Sequence, residues 1–229
     1  MNPRHAAIIT AAGSSQRFNA SSDSKLKKEY AKIGSESVLA HAATPFVTVP
    51  DLVAIVVTYR KGELEMAKEA VGNIGFKVTF VEGGETRRDS VFNALKYLYD
   101  RRNELDIGLV SIHDGARPFV TSDLIKTCLD AASSFGGSCP CLRVTDTIVR
   151  VGSDGLLTER ISRDGVCTVQ TPQTFRFPDI YLAHLKASPD KVYTDDTEIF
   201  MDYGGKVRFV QGDEANRKIT FASDLKEVK

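Results

Sequence analysis

Leu52 to Thr58 reads LVAIVVT, an apolar and β-branched run with no polar alternation. A strand of that composition has no face to offer to water, so it belongs in a sheet that is covered on both sides. Ala6 to Thr10, Lys77 to Val81 and Ile107 to Ile112 are further short runs that read as strands. Between them lie three helical patterns, Ser37 to Phe46, Glu63 to Val71 and Arg88 to Tyr99, the last with Val91, Ala94, Leu95 and Leu98 on one face. Pro45 and Pro50 are expected to stop the first of these helices. Strands alternating with helices predict an α/β fold: a mostly parallel sheet with helices on both faces and a ligand at the carboxyl ends of the strands.

The chain has 229 residues, which suits one domain over 1–229, enough to bury roughly 70% of the unfolded surface. Lys plus Arg and Asp plus Glu both total 30, so any positive site is local. That balance argues against a nucleic-acid partner and for a small one. Cys128, Cys139, Cys141 and Cys167 show no CxxC pair and no metal-ligand spacing, and are expected as buried free thiols. The first residues, MNPRHAAIITAAG, carry no signal core. No apolar run nears the ~18 residues that span a bilayer. The expectation is a soluble, cytoplasmic protein with no membrane partner.

From Cys139 to Thr174 the alternation lapses. Leu142 to Asp146, Thr147 to Val151, Leu156 to Ile161 and Val166 to Thr171 read as short strands around Gly152-Ser153-Asp154-Gly155 and Arg163-Asp164-Gly165. These predict a protruding β-hairpin arm at about 147–169. Pro178 then opens a helix, Asp195 to Tyr203 makes another, and Lys206 to Val210 is a last strand.

Each strand end is a place to look for chemistry. After the first strand, Ala11, Ala12 and Gly13 allow close approach to the backbone, and Ser14, Ser15, Gln16 and Arg17 add donors. Such a turn can cradle a phosphate, or merely join a strand to a helix. Neither GxxxxGK[ST] nor GxGxxG is present, which leaves both a Walker ATPase and a dinucleotide dehydrogenase unsupported. Lys25, Lys27, Lys28 and Lys32 follow, close enough for one ammonium to fold back beside Arg17. The third strand ends in Glu82-Gly83-Gly84-Glu85-Thr86-Arg87-Arg88-Asp89-Ser90, where Ser90 is a candidate helix cap. The fourth ends in His113-Asp114-Gly115-Ala116-Arg117-Pro118. There Asp114 suits Mg²⁺, directly or through water, and Arg117 a second anion, unless the two only pair to brace the turn.

Taken together, AAGSSQRF, KKEY, GGETRRDSV, HDGARP, VTDTI, SRDGV, QTPQTF, YTDDTE and NRKITFASDL occur in the order found in 2-C-methyl-D-erythritol 4-phosphate cytidylyltransferases, which the chain resembles from residue 6 to about 226. Ribitol-5-phosphate cytidylyltransferases share most of these blocks. The resemblance implies a Rossmann-like nucleotidyltransferase sheet, CTP and a polyol phosphate as partners, Mg²⁺ as cofactor, and a homodimer through the arm.

Carried over by motif, it gives Arg17 and Lys28 catalytic roles and assigns CTP binding to Ala11, Ala12, Gly13, Ser14, Ser15, Gly84, Glu85, Arg87, Ser90, Asp114 and Lys218. It assigns the sugar phosphate to Arg117, Thr147, Arg163, Thr171 and Lys218, and Mg²⁺ to Asp114. Relatives usually read P-K-Q where this chain has Lys27-Lys28-Glu29, after a longer spacer, so Lys25 and Lys27 compete with Lys28 for the phosphate role. The implied reaction is attack by the sugar phosphate on the α-phosphorus of CTP, with no protein nucleophile. Its alternatives are ribitol phosphate as acceptor and a CTP-binding module without turnover.

Overall fold

The apolar runs become strands buried on both sides. In the computed structural model, which describes residues 3–21 and 26–226, Ala6 and Ile8 face one apolar core and Ala7 and Ile9 the other, all with no exposed surface. In chain order the elements are β1 (His5–Ala11), α1 (Gln16–Ala20), β2 (Lys32–Ile33), β3 (Glu36–Ser37), α2 (Val38–Val47), β4 (Leu52–Tyr59), α3 (Leu64–Val71) and β5 (Val78–Glu82). Then come α4 (Arg87–Asp100), α5 (Arg102–Leu105), β6 (Leu109–Asp114), α6 (Ser122–Phe135), β7 (Gly137–Arg143), β8 (Ile148–Val151) and β9 (Leu157–Ile161). The chain continues with β10 (Cys167–Val169), β11 (Gln173–Arg176), α7 (Asp179–Lys186), α8 (Asp196–Asp202), β12 (Val207–Gln211) and α9 (Ser223–Lys226).

Strands β5, β4, β1 and β6 run side by side and parallel. Beyond β6 comes β11, antiparallel to it, then β7, with β12 parallel to β7 at the edge and β10 along the far half of β7. Helices α2, α3 and α6 cover one face, and α4, α7 and α8 the other. Because β1 leads to β4 on one side while β6 lies on its other side, the loops leaving β1 and β6 diverge. They open the crevice that a doubly wound sheet offers to ligands.

Several local expectations are corrected. Pro45 lies inside α2, where burial of Ala42, Ala43 and Phe46 outweighs the hydrogen bond it removes, and the helix ends at Val47. The cap of α4 is Thr86, not Ser90: the Thr86 side chain accepts from Asp89 N, and the Asp89 carboxylate reaches back to Thr86 N. Ser90 instead donates to the Thr86 carbonyl and accepts from Gly84 N. Helix α6 and strand β11 are additions to the expected pattern. The stretch read as four arm strands divides, since β10 joins the main sheet and only β8 and β9 form a separate two-stranded sheet.

Candidate active site

Glycines decide how closely the loops at the carboxyl ends of the strands approach. A Cβ on Gly83 would lie 2.4 Å from Ala12 Cβ, and one on Gly115 would lie 2.9 Å from Thr10 O. Both turns therefore press against the end of β1. The result is a cleft of about 680 Å³. Its walls are the Gly/Ser turn (Ala12 to Ser15), Lys28 and Glu29, the turn after β5 with Arg87 and Ser90, Asp114 at the end of β6, and Lys218. Arg60 and Lys61, in the loop after β4, complete it. Sequence reading passed over that pair, although any loop at the carboxyl end of a parallel strand is a candidate.

Asp114 organises the charges. Lys218 Nζ donates to its Oδ2 at 2.7 Å, Arg87 Nε stands 3.6 Å from Oδ1, and Arg117 Nε 3.9 Å from Oδ2. Burial would raise the carboxyl, but Lys218 first, then Arg87 and Arg117, hold it well below the usual carboxylate range. Its backbone N–H donates to Thr171 Oγ1 at 3.0 Å. The Thr171 hydroxyl is 2.9 Å from His113 Nδ1, and His113 Nε2 is 3.1 Å from the Arg117 carbonyl. Burial pushes His113 down to about 4, so the ring is neutral. Its Nδ1 accepts a hydrogen bond from the Thr171 hydroxyl, and its Nε2–H donates to the Arg117 carbonyl. Arg87 continues the network away from the cleft: its NH1 is 2.7 Å from Asp196, which lies 3.1 Å from His184 Nε2. Asp196 is fully buried and was not singled out by sequence. The signal was an acid repeated at the start of α8, beside the capping Asp195.

The two lysines of the 27–28 pair part ways. Lys27 is buried, donates to the Ala11 carbonyl at 2.9 Å and pairs with Glu63 at 2.8 Å, where Tyr30 OH also donates. Lys28 lines the cleft. Burial pushes its ammonium down, with Glu29 opposing and Lys218 and Arg17 adding to the fall. Lys25 lies outside the described residues.

Of the other expected site residues, Gly84, Glu85 and Ser90 line the cleft. Ala11 is buried in β1, and Arg17 is exposed on α1, acting on Lys28 through its charge. Thr171 sits behind Asp114, its hydroxyl spent on the two contacts above. Arg117 is tied by its guanidinium to the Asn216 carbonyl at 2.7 Å. Thr147 and Arg163 are exposed at the base of the arm, where Arg163 donates to the Thr145 carbonyl. They are not in the wall of this chain's own cleft.

Among the described residues no three His, Cys, Asp or Glu side chains group as a metal centre. Mg²⁺ commonly takes one or two carboxylates plus substrate phosphates and keeps several waters. The donors here fit an ion that arrives on a triphosphate and meets Asp114 directly or through water. Lys218 holds Oδ2 at 2.7 Å, so a direct bond would fall to Oδ1, which faces Arg87 Nε at 3.6 Å.

The Gly/Ser loop, Lys28 and Lys218 meet at the switch point of an open α/β sheet, the place where such sheets bind ligands. The model of the IspD family, 2-C-methyl-D-erythritol 4-phosphate cytidylyltransferase, matches residues 5–229. The chain belongs to that family. It is 37% identical over 223 residues to the bifunctional enzyme IspD/IspF of Rhizorhabdus wittichii, covering 97% of this chain and 55% of that one. The chain thus spans about half the length of the bifunctional relatives it matches. Among solved structures, 4-diphosphocytidyl-2C-methyl-D-erythritol synthase of Anaerococcus prevotii superposes with a TM-score of 0.82 at 29% identity, covering 99% of this chain and 95% of that one. The bifunctional IspDF of Campylobacter jejuni superposes at 0.79 with 28% identity, covering 98% of this chain and 54% of that one.

Proposed function

We propose that the protein transfers CMP from CTP to 2-C-methyl-D-erythritol 4-phosphate, releasing pyrophosphate and giving CDP-methylerythritol. The observation that carries this is the placement of Lys28 and Lys218 beside the Gly/Ser turn, at the carboxyl ends of β1 and β6. A phosphate oxygen of the acceptor attacks the α-phosphorus, and the bond to the β-phosphate breaks. The attacking phosphate is ionised near neutral pH, so the protein's task is to align two polyanions and offset the charge on the α-phosphoryl oxygens. In this reading Lys28 and Arg17 approach that phosphoryl group, while the Ala11 to Ser15 turn and Lys218 hold the triphosphate. Gly84, Glu85, Arg87 and Ser90 receive the base. A Mg²⁺ ion bound with the triphosphate, reached by Asp114 directly or through water, would screen its charge and polarise the α-phosphoryl oxygens.

The acceptor needs further cations. Arg163 supplies a cation and Thr147 a hydroxyl from a second copy of the chain in a homodimer built through the arm, with Arg117 and Thr171 supporting from behind Asp114. Free thiols at all four cysteines suit a reducing compartment such as the cytoplasm. The test is pyrophosphate release from CTP with Mg²⁺ and either methylerythritol phosphate or ribitol phosphate. The expected result is turnover with the former and far less with the latter. Binding of CTP with no pyrophosphate from either acceptor refutes the proposal.

A further inference from the structure

Glu29 is a carboxyl in the wall of a cleft that takes a polyanion, and the transfer reaction has no use for a negative charge there. Its residue is only 4% exposed. Ser15 Oγ donates to its Oε2 at 2.9 Å, and Ser15 enters α1 in the left-handed conformation with φ 51°. Glu29 therefore fastens the Gly/Ser turn to the segment that carries Lys28. From its own segment Lys28 and Lys27 attract it, and its charge reaches the Tyr30 phenol. From the other walls Lys218, Asp114 and Arg17 act on Lys28. Lys27 is committed to Glu63 and to the Ala11 carbonyl, so Lys28 is the one of the two that faces the cleft.

Burial pushes the Glu29 carboxyl upward, and the two lysines pull it back. A triphosphate that draws the charge of Lys28 to its own oxygens leaves Glu29 buried beside a polyanion with the larger part of that compensation spent. Burial and like charge then both favour the neutral carboxyl. A protonated carboxyl both accepts and donates, so it keeps Ser15 and can donate to a phosphate oxygen. We propose that Glu29 is a positioning residue for the phosphate-binding turn and takes up one proton from solvent when the triphosphate binds. This deepens the CTP reading above and rests on it. The proton ends on a Glu29 oxygen, and no bond in the nucleotide is made or broken.

Titration calorimetry of CTP into the protein, at pH 7.5 in two buffers of different ionisation enthalpy, counts the protons exchanged. Wild type and Glu29→Gln share the ionisation of CTP itself, so their difference belongs to residue 29. Uptake is expected to fall by at least half a proton in Glu29→Gln. The affinity of wild type should also decline three- to tenfold more per pH unit between pH 7 and 9 than that of the variant. Lys28→Arg, which keeps the cation and removes its titration, should retain the uptake, and it decides the matter if Glu29→Gln does not fold. Equal proton counts and parallel pH profiles in wild type and Glu29→Gln, or loss of uptake in Lys28→Arg, overturn the proposal while CTP binding and turnover stand. Failure of wild type to bind CTP overturns this proposal and the CTP reading together.

Discussion

Lys27 and Lys28 are adjacent in the chain and meet opposite surroundings. Lys28→Ala should lower turnover by about two to three orders of magnitude, the scale for removing one stabiliser of transition-state charge, with the fold intact. Lys27→Ala leaves Glu63 and the Ala11 carbonyl without their shared cation in a largely buried place. It should cost about 2–4 kcal/mol of stability and change turnover much less. Urea midpoints together with steady-state rates separate the two effects, and a reversed pattern would move the phosphate role to Lys27. His5 offers a pH handle remote from the cleft. Its ring is 1% exposed beside the Pro50 carbonyl, and burial lowers its pKa from 6.5. The unfolded chain then binds the proton more readily, so this stabilisation is present above about pH 6.5 and is lost as pH falls below it. Melting temperature should drop more steeply from pH 7 to 5 in wild type than in His5→Gln, and equal slopes would show that His5 contributes nothing to acid sensitivity.

At the scale of elements, the turn between β5 and α4 reaches the end of β1 because nothing projects from Gly83. Its replacement by alanine would set a Cβ 2.4 Å from Ala12 Cβ and 2.7 Å from Ser90 Oγ. Ala12 is carried by the backbone after β1 and cannot swing aside, so the turn must retreat. Gly83→Ala should cost about 1–3 kcal/mol and weaken CTP at least tenfold. Thermal melts and direct CTP titration check this, and an unchanged CTP affinity would mean that the close approach has no part in nucleotide binding. The capping box of Thr86 and Asp89 starts α4 at a defined residue. That start places Arg87 in the first turn, where it reaches both Asp114 and Asp196.

For the whole molecule, the arm leaves apolar side chains uncovered. Strands β8 and β9 form a separate sheet, and Val151, Leu156 and Leu157 are 57%, 66% and 71% exposed. A lone two-stranded hairpin is marginal in water, and pairing with a second copy about a two-fold axis is the commonest way to cover it. In the proposed homodimer Arg163, exposed at the base of the arm, would be available to the other subunit's cleft. Mixing inactive Arg163→Ala subunits with inactive Lys28→Ala subunits in equal amounts should restore about a quarter of wild-type activity, since about half of the dimers are hybrids and each hybrid holds one complete site of two. An active protein that sediments as a monomer at assay concentration would remove the shared site.

Short-range chemistry made the frame of this protein readable before any coordinates. The run from Leu52 to Thr58 demands a sheet covered on both faces, and the turns at Gly13, Gly83 and Gly115 mark the strand ends where a ligand belongs. Such signals lie within windows of about ten residues. The inserted antiparallel β11 escaped because four residues of ordinary composition carry no direction of pairing. Partners decide the rest, and they are distant: Lys218 and Asp114 are 104 positions apart, and Thr171 and His113 are 58. Nothing local says that one of two neighbouring lysines is buried against Glu63, that the Thr171 hydroxyl is already spent on Asp114, or that Arg87 is shared with Asp196. Burial sets those outcomes, because a charge withdrawn from water must find its counter-charge wherever the fold has put one.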